Sequence, residues 1–434
     1  MSKIYGIDLG TTNSLIGLYA TGYLSDIVPS CADIESKSAG KQHYDNMRAK
    51  RSFKTDMSMG VEGTMPRAAS KLVLQELVNQ VKDDKVKEVV ISVPAYFNDS
   101  QRSATIEAAE QAGLVVRDLV NEPTAAAMYI AQNKQGVFVI YDLGGGTFDV
   151  TIIDNRFGAY DVQATSGTPI GGDDFDQNLV RYFVKNAGIP YHKLNSEQRM
   201  LIQHLCKHYK EQMQQMRAPF EISFSEFGGN TCLFTPEAYI QLMKITFNET
   251  LTCMNKLIRE WIPEDEVFDI YLVGGSTHCP FLQDWITEET GRRPAPLTYD
   301  PDRVVAQGAA LYAHYVETGE VSYKVSDVTK ALSIGLADGT VSNIIPMNSK
   351  VPLSIDKMFT NPVKASKIEV DLYQGESMFA KDNEKIGTLL WDFGCDVEAY
   401  EGQIIVTVSV AANGTITFSA KELLKAPKTL VLRR

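Results

Sequence analysis

The sequence predicts two α/β lobes of related design around one cleft, followed by an all-β sandwich. Three observations carry this. A strand–Asp–Gly/Thr-turn–strand unit occurs twice, over Ile4–Thr12 and Phe138–Thr147, with Asp8 recurring as Asp142, 134 positions on. That interval is too long for a solenoid, whose units run roughly 20–50 residues, and suits two homologous halves facing one ligand. Helical and strand patterns alternate until about residue 320, and then the texture becomes all-β. The 434 residues, at roughly 150 per domain, fit two to three domains.

The elements follow in order. Lys3–Ile7 and Ser14–Tyr19 read as strands around the first turn, and residues 21–66 as mostly loop with one short helix. Lys71–Val81 repeats Leu72, Leu74, Val78 and Val81 at helical spacing. Val89–Val93 is a buried strand stopped by Pro94, and Asp99–Ala112 a helix capped at Asn98 or Asp99 and ended by Gly113. Val137–Tyr141 and Asp149–Ile153 flank the second turn. Ser196–Met216 is a long helix, Phe234–Trp261 holds one or two more, Phe268–Val273 is a strand ending in Gly274-Gly275, and Asp302–Tyr315 is a helix. In the tail, Ile368–Tyr373 alternates, Ile404–Val410 is β-branched, and Asn413-Gly414 suits a type I′ turn back into Ile416–Ser419. The predicted units are residues 1–320, a linker at 321–330, and a sandwich at 331–434.

Composition excludes several classes. With 44% hydrophobic and 22% charged residues the chain is neither disordered nor of low complexity. A net charge of −12 makes it a poor non-specific binder of nucleic acid. The longest apolar run, Ala125–Ala131, is too short to span a bilayer, and no signal peptide is visible. Six scattered cysteines, without CxxC or zinc spacing, read as reduced thiols in a cytoplasmic protein.

A glycine-rich turn lets backbone N–H groups approach phosphate oxygens, and threonine hydroxyls add donors. An Asp at the strand end repels phosphate but holds Mg²⁺, which bridges phosphates. Two such units in register clamp a triphosphate tail from both sides, and Gly274-Gly275 suits close approach to adenosine. Lys50 is a candidate cation for phosphoryl transfer, or a surface lysine. Glu122 reads either as a helix N-terminal carboxylate or as a member of the metal shell.

These residues resemble the 70-kDa heat-shock chaperone family (DnaK type). The similarity runs, in order, through Gly6–Ser14, Val93–Arg102, Asn121–Ala127, Tyr141–Asp149, Gly171–Asp176, Leu272–Thr277, Gln374–Glu376 and Ala411–Gly414. It implies an actin-like ATPase domain with duplicated ribonuclease-H-like halves, then a β-sandwich that holds extended hydrophobic peptide. It implies ATP/ADP and Mg²⁺ as cofactors, with Asp8 and Asp142 holding the metal through water. Catalytic roles fall on Lys50, Glu122, Thr147 and Asp149. Nucleotide contacts fall on Gly10, Thr11, Thr12, Asn13, Gly144, Gly145, Gly146, Gly171, Gly172, Asp173, Lys207, Lys210, Gln214, Gly274, Gly275, Ser276, His278 and Asp302. Pro94 and Arg102 match the interdomain relay. Leu336, Phe359, Ile368 and Val370 align with the peptide-pocket wall, though such rows are as often sandwich core. Implied partners are unfolded peptide segments, a J-domain cochaperone and a nucleotide-exchange factor, with neither nucleic acid nor membrane.

The chain also departs from the family pattern. Only 44 positions separate Lys50 from Pro94, so the lobe above the cleft is trimmed. Lys207 and Gln214 replace the usual Glu and Ser of the adenine clamp, and His278 the usual Arg; otherwise it reads as a loop histidine. Leu201, Leu205, Tyr209 and Met213 form an i+4 apolar stripe on that helix. The linker Ser322–Lys330 lacks the apolar run that docks in the family, and no helical lid follows Arg434. The leading expectation is a slowly hydrolysing ATP-dependent chaperone with protein-folding and stress roles. The alternative is an ATP-binding regulatory module whose β domain docks a dedicated partner. A small-molecule kinase or actin-like filament protein is opposed by the β tail and by Asn121–Ala127.

Overall fold

The computed structural model describes residues 3–43, 49–50, 53, 64–81, 86–95, 97, 99–132, 134–156, 160–319, 330–347, 349, 353–410, 416–422 and 428–432. The linker at 321–329, the Asn98 cap and the Asn413-Gly414 turn lie outside them.

The first sheet is built from β1 (Ile4–Leu9), β2 (Asn13–Leu18), β3 (Tyr23–Leu24), β4 (Val28–Pro29), β7 (Glu88–Val93) and β8 (Val115–Asn121). Its order is β3-β2-β1-β7-β8, with β4 also on β2. A separate pair, β5 (Ala32–Asp33) and β6 (Ser38–Ala39), and helices α1 (Thr64–Gln80), α2 (Asp99–Gln111) and α3 (Glu122–Ile130) complete this part. Within the stretch 21–66, the described residues 21–43 are loop interspersed with short elements. The elements are paired two-residue strands and a 3-10 turn at Lys41–His43, too short to show periodicity.

The second sheet repeats the plan. β9 (Val137–Leu143) and β10 (Phe148–Asp154) form the hairpin, β11 (Asp161–Thr168) pairs with β10, and β14 (Phe268–Val273) runs parallel to β9. In the first sheet β1 is likewise antiparallel to β2 and parallel to β7. Around the second sheet lie α4 (Gly172–Asn186), α5 (Ser196–Met216), the hairpin β12 (Phe220–Ser223) and β13 (Thr231–Phe234), α6 (Pro236–Trp261), α7 (Pro280–Thr290) and α8 (Val304–Thr318). α6 is one 26-residue helix, capped by the Thr235 hydroxyl, with Pro236 at its first position.

Helices α3 and α8 pack on each other between the two sheets, α8 against β1 and β2, α3 against β9 and β10. The close approach requires small residues: a Cβ on Gly308 would overlap the Ala125 carbonyl, and one on Gly6 the Ala310 main chain. The alanines of Glu122–Ile130 and Val304–Thr318 are therefore packing residues.

On α5 the buried residues are Ile202, Cys206 and Met213, whereas Leu201 is 44% exposed. Of the expected i+4 stripe, Met213 is in the core and Leu205 and Tyr209 pack against it, so only Leu201 falls outside. A helix turns every 3.6 residues, so a strict i+4 row drifts around the axis, here from exposed Leu201 to buried Met213.

The tail forms two four-stranded antiparallel sheets. One is β16 (Val341–Ile345), β15 (Leu332–Gly335), β18 (Ala365–Gln374) and β19 (Glu384–Val397), in that order. The other is β17 (Leu353–Thr360), β20 (Gln403–Val410), β21 (Ile416–Glu422) and β22 (Lys428–Leu432). Their shared core holds Leu372, Trp391, Phe393, Ile404, Val406, Val408 and Phe418. Alternation along β20 buries Ile404, Val406, Val408 and Val410. The edge strand β17 carries Lys357, whose Nζ donates to Ser342 Oγ at 2.7 Å, a charge that discourages edge pairing. Among the described residues no helix is long and apolar enough to cross a membrane.

Candidate nucleotide site

The two repeated turns open into one cavity of about 630 Å³. Asp8, at the end of β1, is buried and accepts a hydrogen bond from Ser92 Oγ at 2.8 Å. Asp142, at the corresponding place on β9, is also buried and sits in register with Asp149 on β10. A strand end delivers a carboxylate to a cleft while the strand itself stays in the sheet, so both acids can be desolvated and still face the cavity.

The first turn is fixed by hydroxyls and by one main-chain bond. Ser30 Oγ donates to the Gly10 carbonyl at 2.7 Å and lies 2.8 Å from Ser14 Oγ, and the Ser30 N–H donates to the Thr12 carbonyl at 2.7 Å. The second turn is fixed mainly by main chain. The Gly172 and Asp173 N–H groups donate to the Gly144 and Gly145 carbonyls at 3.0 and 2.7 Å, and Ser276 Oγ donates to the Gly144 carbonyl at 2.8 Å. The two turns touch: a Cβ on Gly145 would overlap Thr12 Oγ1. That hydroxyl is buried with no hydrogen-bond partner among the described residues. Gly274 adopts φ +85°, and a Cβ there would come within 2.7 Å of Asp142 Oδ1, so glycine is required.

Of the residues singled out by sequence, Asp8, Gly10, Thr11, Thr12, Asn13, Glu122, Asp142, Gly144, Gly145, Thr147, Gly172, Asp173, Lys207, Lys210, Gln214, Gly274, Gly275, Ser276, His278 and Asp302 line the cavity. Gly146, Gly171, Asp149 and Lys50 are not among the lining residues. Gly171 and Gly146 back the turn. Asp149 is buried in β10, and Lys50 pairs through its main chain with Ala32. Glu122 is the first residue of α3, which brings its carboxylate to the cavity.

Arg102 is buried, its guanidinium donating to Asn121 Oδ1 at 2.6 Å and to the Phe97 carbonyl at 3.2 Å. The Phe97 N–H in turn donates to the Pro94 carbonyl at 3.1 Å. Pro94 and Arg102 are thus joined through Phe97, and Asn121 leads directly into Glu122.

The remaining wall comes from α5, α6 and the residues after β14. Lys210 Nζ lies 2.6 Å from Asp176 Oδ1. Burial pushes the Asp176 carboxyl up, and Lys210 and Lys207 pull it back down. Gln214 Nε2 donates to the Tyr239 hydroxyl at 2.9 Å, and that hydroxyl lies 3.5 Å from Cys279 Sγ. His278 Nε2 lies 3.0 Å from Asp302 Oδ2, a hydrogen bond that raises the imidazole above its usual value. The donor atoms of His278, Asp300 and Asp302 lie within 4.8 Å of one another at the exposed rim, apart from the Asp8 and Asp142 pair.

Sequence reasoning did not assign Phe175, Asp176, Glu211, Gln215, Arg217, Tyr239, Met243, Phe247, Cys279, Pro280, Pro301 or Val305 to the site. Asp176 was within reach, as part of the Gly171–Asp176 motif. Tyr239 was not, since nothing in its local sequence separates it from a core tyrosine.

The four residues aligned with a peptide pocket are spread over the sandwich. Val370 is buried in its core, Phe359 and Ile368 are half-buried against that core, and Leu336 is exposed in the Leu336–Thr340 turn. All six cysteines are free.

The family model described as Hsp70 protein matches residues 45–431.

Proposed function

The chain belongs to the Hsp70 protein family, which brings a chaperone and ATP-binding role in general, and on that premise we propose a slowly hydrolysing, ATP-dependent chaperone. In this reading residues 1–320 form an actin-like ATPase domain of two duplicated halves, 321–330 a linker, and 331–434 a sandwich that holds extended hydrophobic segments of unfolded proteins. The observation that carries it is the convergence of both Asp–Gly/Thr turns on one cavity. A J-domain cochaperone and an exchange factor are the proposed partners. The free thiols support a reducing, cytoplasmic setting.

The residues present suit a magnesium nucleotide. Asp8 and Asp142 offer hard oxygen donors for hydrated Mg²⁺, and the orphaned Thr12 hydroxyl meets a phosphate oxygen. Bound Mg²⁺ neutralises charge on the phosphates. Gly10–Asn13 and Gly144–Thr147 supply N–H and hydroxyl donors along the tail. Thr147 and Glu122 orient the water that attacks the γ-phosphate in line. Asp149 and Lys50, set back from the cavity wall, act on this site through neighbouring groups or after lobe closure.

Two observations favour a second reading, the regulatory module with little turnover: Lys50 is not among the lining residues, and Val370 is committed to the sandwich core. The discriminating experiment is ATP turnover with and without an unfolded hydrophobic peptide. Peptide-stimulated turnover supports the chaperone, and tight binding without turnover supports the module. Asp8→Asn tests the metal assignment. The neutral amide lacks the charge that orients the hydrated ion, so the difference between binding in Mg²⁺ and in EDTA should shrink sharply; an unchanged difference removes Asp8 from the metal shell.

A further inference from the structure

We propose that Arg217 binds a phosphate group on the ribose of a bound nucleotide, so that the cavity takes nucleotides phosphorylated on the sugar as well as at the 5′ end. The proposal rests on the nucleotide reading above.

Lys207, Lys210 and Arg217 bring positive charge to the cavity wall. The two lysines answer to an acid already inside it. Lys210 Nζ lies 2.6 Å from Asp176 Oδ1, and Lys207 acts electrostatically on the same carboxyl. Arg217 has neither a hydrogen bond to its side chain nor an ion pair among the described residues. Its guanidinium is left for an anion from outside the chain.

The backbone argues that the side chain is kept for such a ligand. Arg217 closes α5 in the left-handed region, φ 49° and ψ 31°, with its N–H donating to the Met213 carbonyl at 3.0 Å. Helices α7 and α8 end in the same conformation, and there the residue is glycine, Gly291 and Gly319. A Cβ is disfavoured at positive φ, and a cation beside a helix C-terminus recovers no more than a comparable amount. Glycine would therefore cap α5 at least as well, and Pro219 stops the helix in either case. Capping does not account for an arginine at this place on the cavity wall, whereas anion binding does.

The position selects the kind of anion. The N–H groups of Gly172 and Asp173, at the start of α4, close onto the second phosphate turn. Asp176, one turn further along α4, meets Lys210, and Arg217 lies two turns past Lys210, roughly 10 Å along the α5 axis. The 5′ phosphates belong to the turns, so Arg217 meets a group carried on the sugar. A planar guanidinium pairs with a phosphate through two parallel hydrogen bonds, which suits a phosphate monoester.

The test is equilibrium binding of ADP, 2′-phospho-ADP and 3′-phospho-ADP to the full chain, to Arg217→Gly and to Arg217→Asn, at low ionic strength. The two phospho isomers distinguish the positions on the sugar, and Gly and Asn both accept the left-handed cap, so both variants keep the fold. The parent should bind at least one isomer about tenfold more tightly than ADP, the worth of one hydrogen bond to a charged group. Added salt should weaken that preference, because Arg217 is exposed. Both variants should reduce it below about threefold by weakening the phosphorylated isomer. Equal binding of all three nucleotides by the parent overturns the proposal, as does a preference that survives in both variants. Absence of binding by all three overturns the nucleotide reading itself, and this proposal with it.

Discussion

The turn after Asp8 is held by serine hydroxyls and one main-chain bond from Ser30, and the turn after Asp142 by two main-chain bonds from α4 and by Ser276, although the two begin from nearly the same sequence. In the first, Ser30 reaches the Gly10 carbonyl and Ser92 reaches Asp8. In the second, the Gly172 and Asp173 N–H groups close onto Gly144 and Gly145, and glycines let the backbones meet. The difference teaches how each turn should fail. A side-chain hydrogen bond can be deleted for a modest cost without steric conflict, whereas a main-chain contact admits no added atom.

The largest expected effect is on turnover. Thr147→Ala removes a cavity hydroxyl at the end of the second turn and should slow hydrolysis about 10²–10³-fold with a much smaller change in ATP affinity. Lys50→Ala should slow it less, because Lys50 lies outside the cavity lining. Single-turnover rates compare them, and an equal loss in both would show that Lys50 enters the site when nucleotide is bound.

Next comes the steric test of the second turn. A Cβ on Gly171 would come 2.5 Å from the Gly145 main chain. Gly171→Ala should therefore cost about 1–3 kcal/mol of stability by overpacking and weaken nucleotide binding, seen as a lower Cm in urea and a raised Kd. A neutral Gly171→Ala would mean that the second turn yields as readily as the first.

Ser30→Ala is the matching test of the first turn, and should cost about 1 kcal/mol, the usual net worth of one hydrogen bond. A loss equal to that of Gly171→Ala would erase the comparison.

The smallest effect is electrostatic. The hydrogen bond to Asp302 raises the His278 imidazole above its usual 6.5. The stabilisation is therefore full below the unfolded value and is lost as pH rises through the raised one. His278 is half-exposed, so solvent screening keeps the effect small. Urea midpoints measured from pH 5.5 to 8.5 should fall slightly in the parent relative to His278→Gln. A parent that gains stability over this range would contradict the assignment.

Much of the site was legible because phosphate chemistry demands rare local sequence. A strand end, an acid, and a run of glycine and threonine appear as one short word, so both turns could be read directly. The α5 face was legible in part: helical spacing puts Lys207, Lys210 and Gln214 on one face, the family resemblance assigned them to the nucleotide, and of the apolar stripe only Leu201 lies outside the packed side. Tyr239 and Cys279 were not legible, since each is an ordinary buried residue until α6 and the segment after β14 bring them beside Gln214. The short strands of residues 21–43 escaped for another reason. Two-residue bridges carry no periodicity.

By itself the sequence determined the repeat, the order of strands and helices around it, the all-β tail, and the acids and glycines of the phosphate end. These are local properties, set by backbone freedom and by side-chain period along a single segment. Only the tertiary structure decided that α3 and α8 lie between the two sheets, that Lys210 is bound to Asp176, that Val370 belongs to the sandwich core, and that Gln214 meets Tyr239. Each of these depends on contacts between segments far apart in the chain, where burial and hydrogen bonding, rather than local pattern, select the partner.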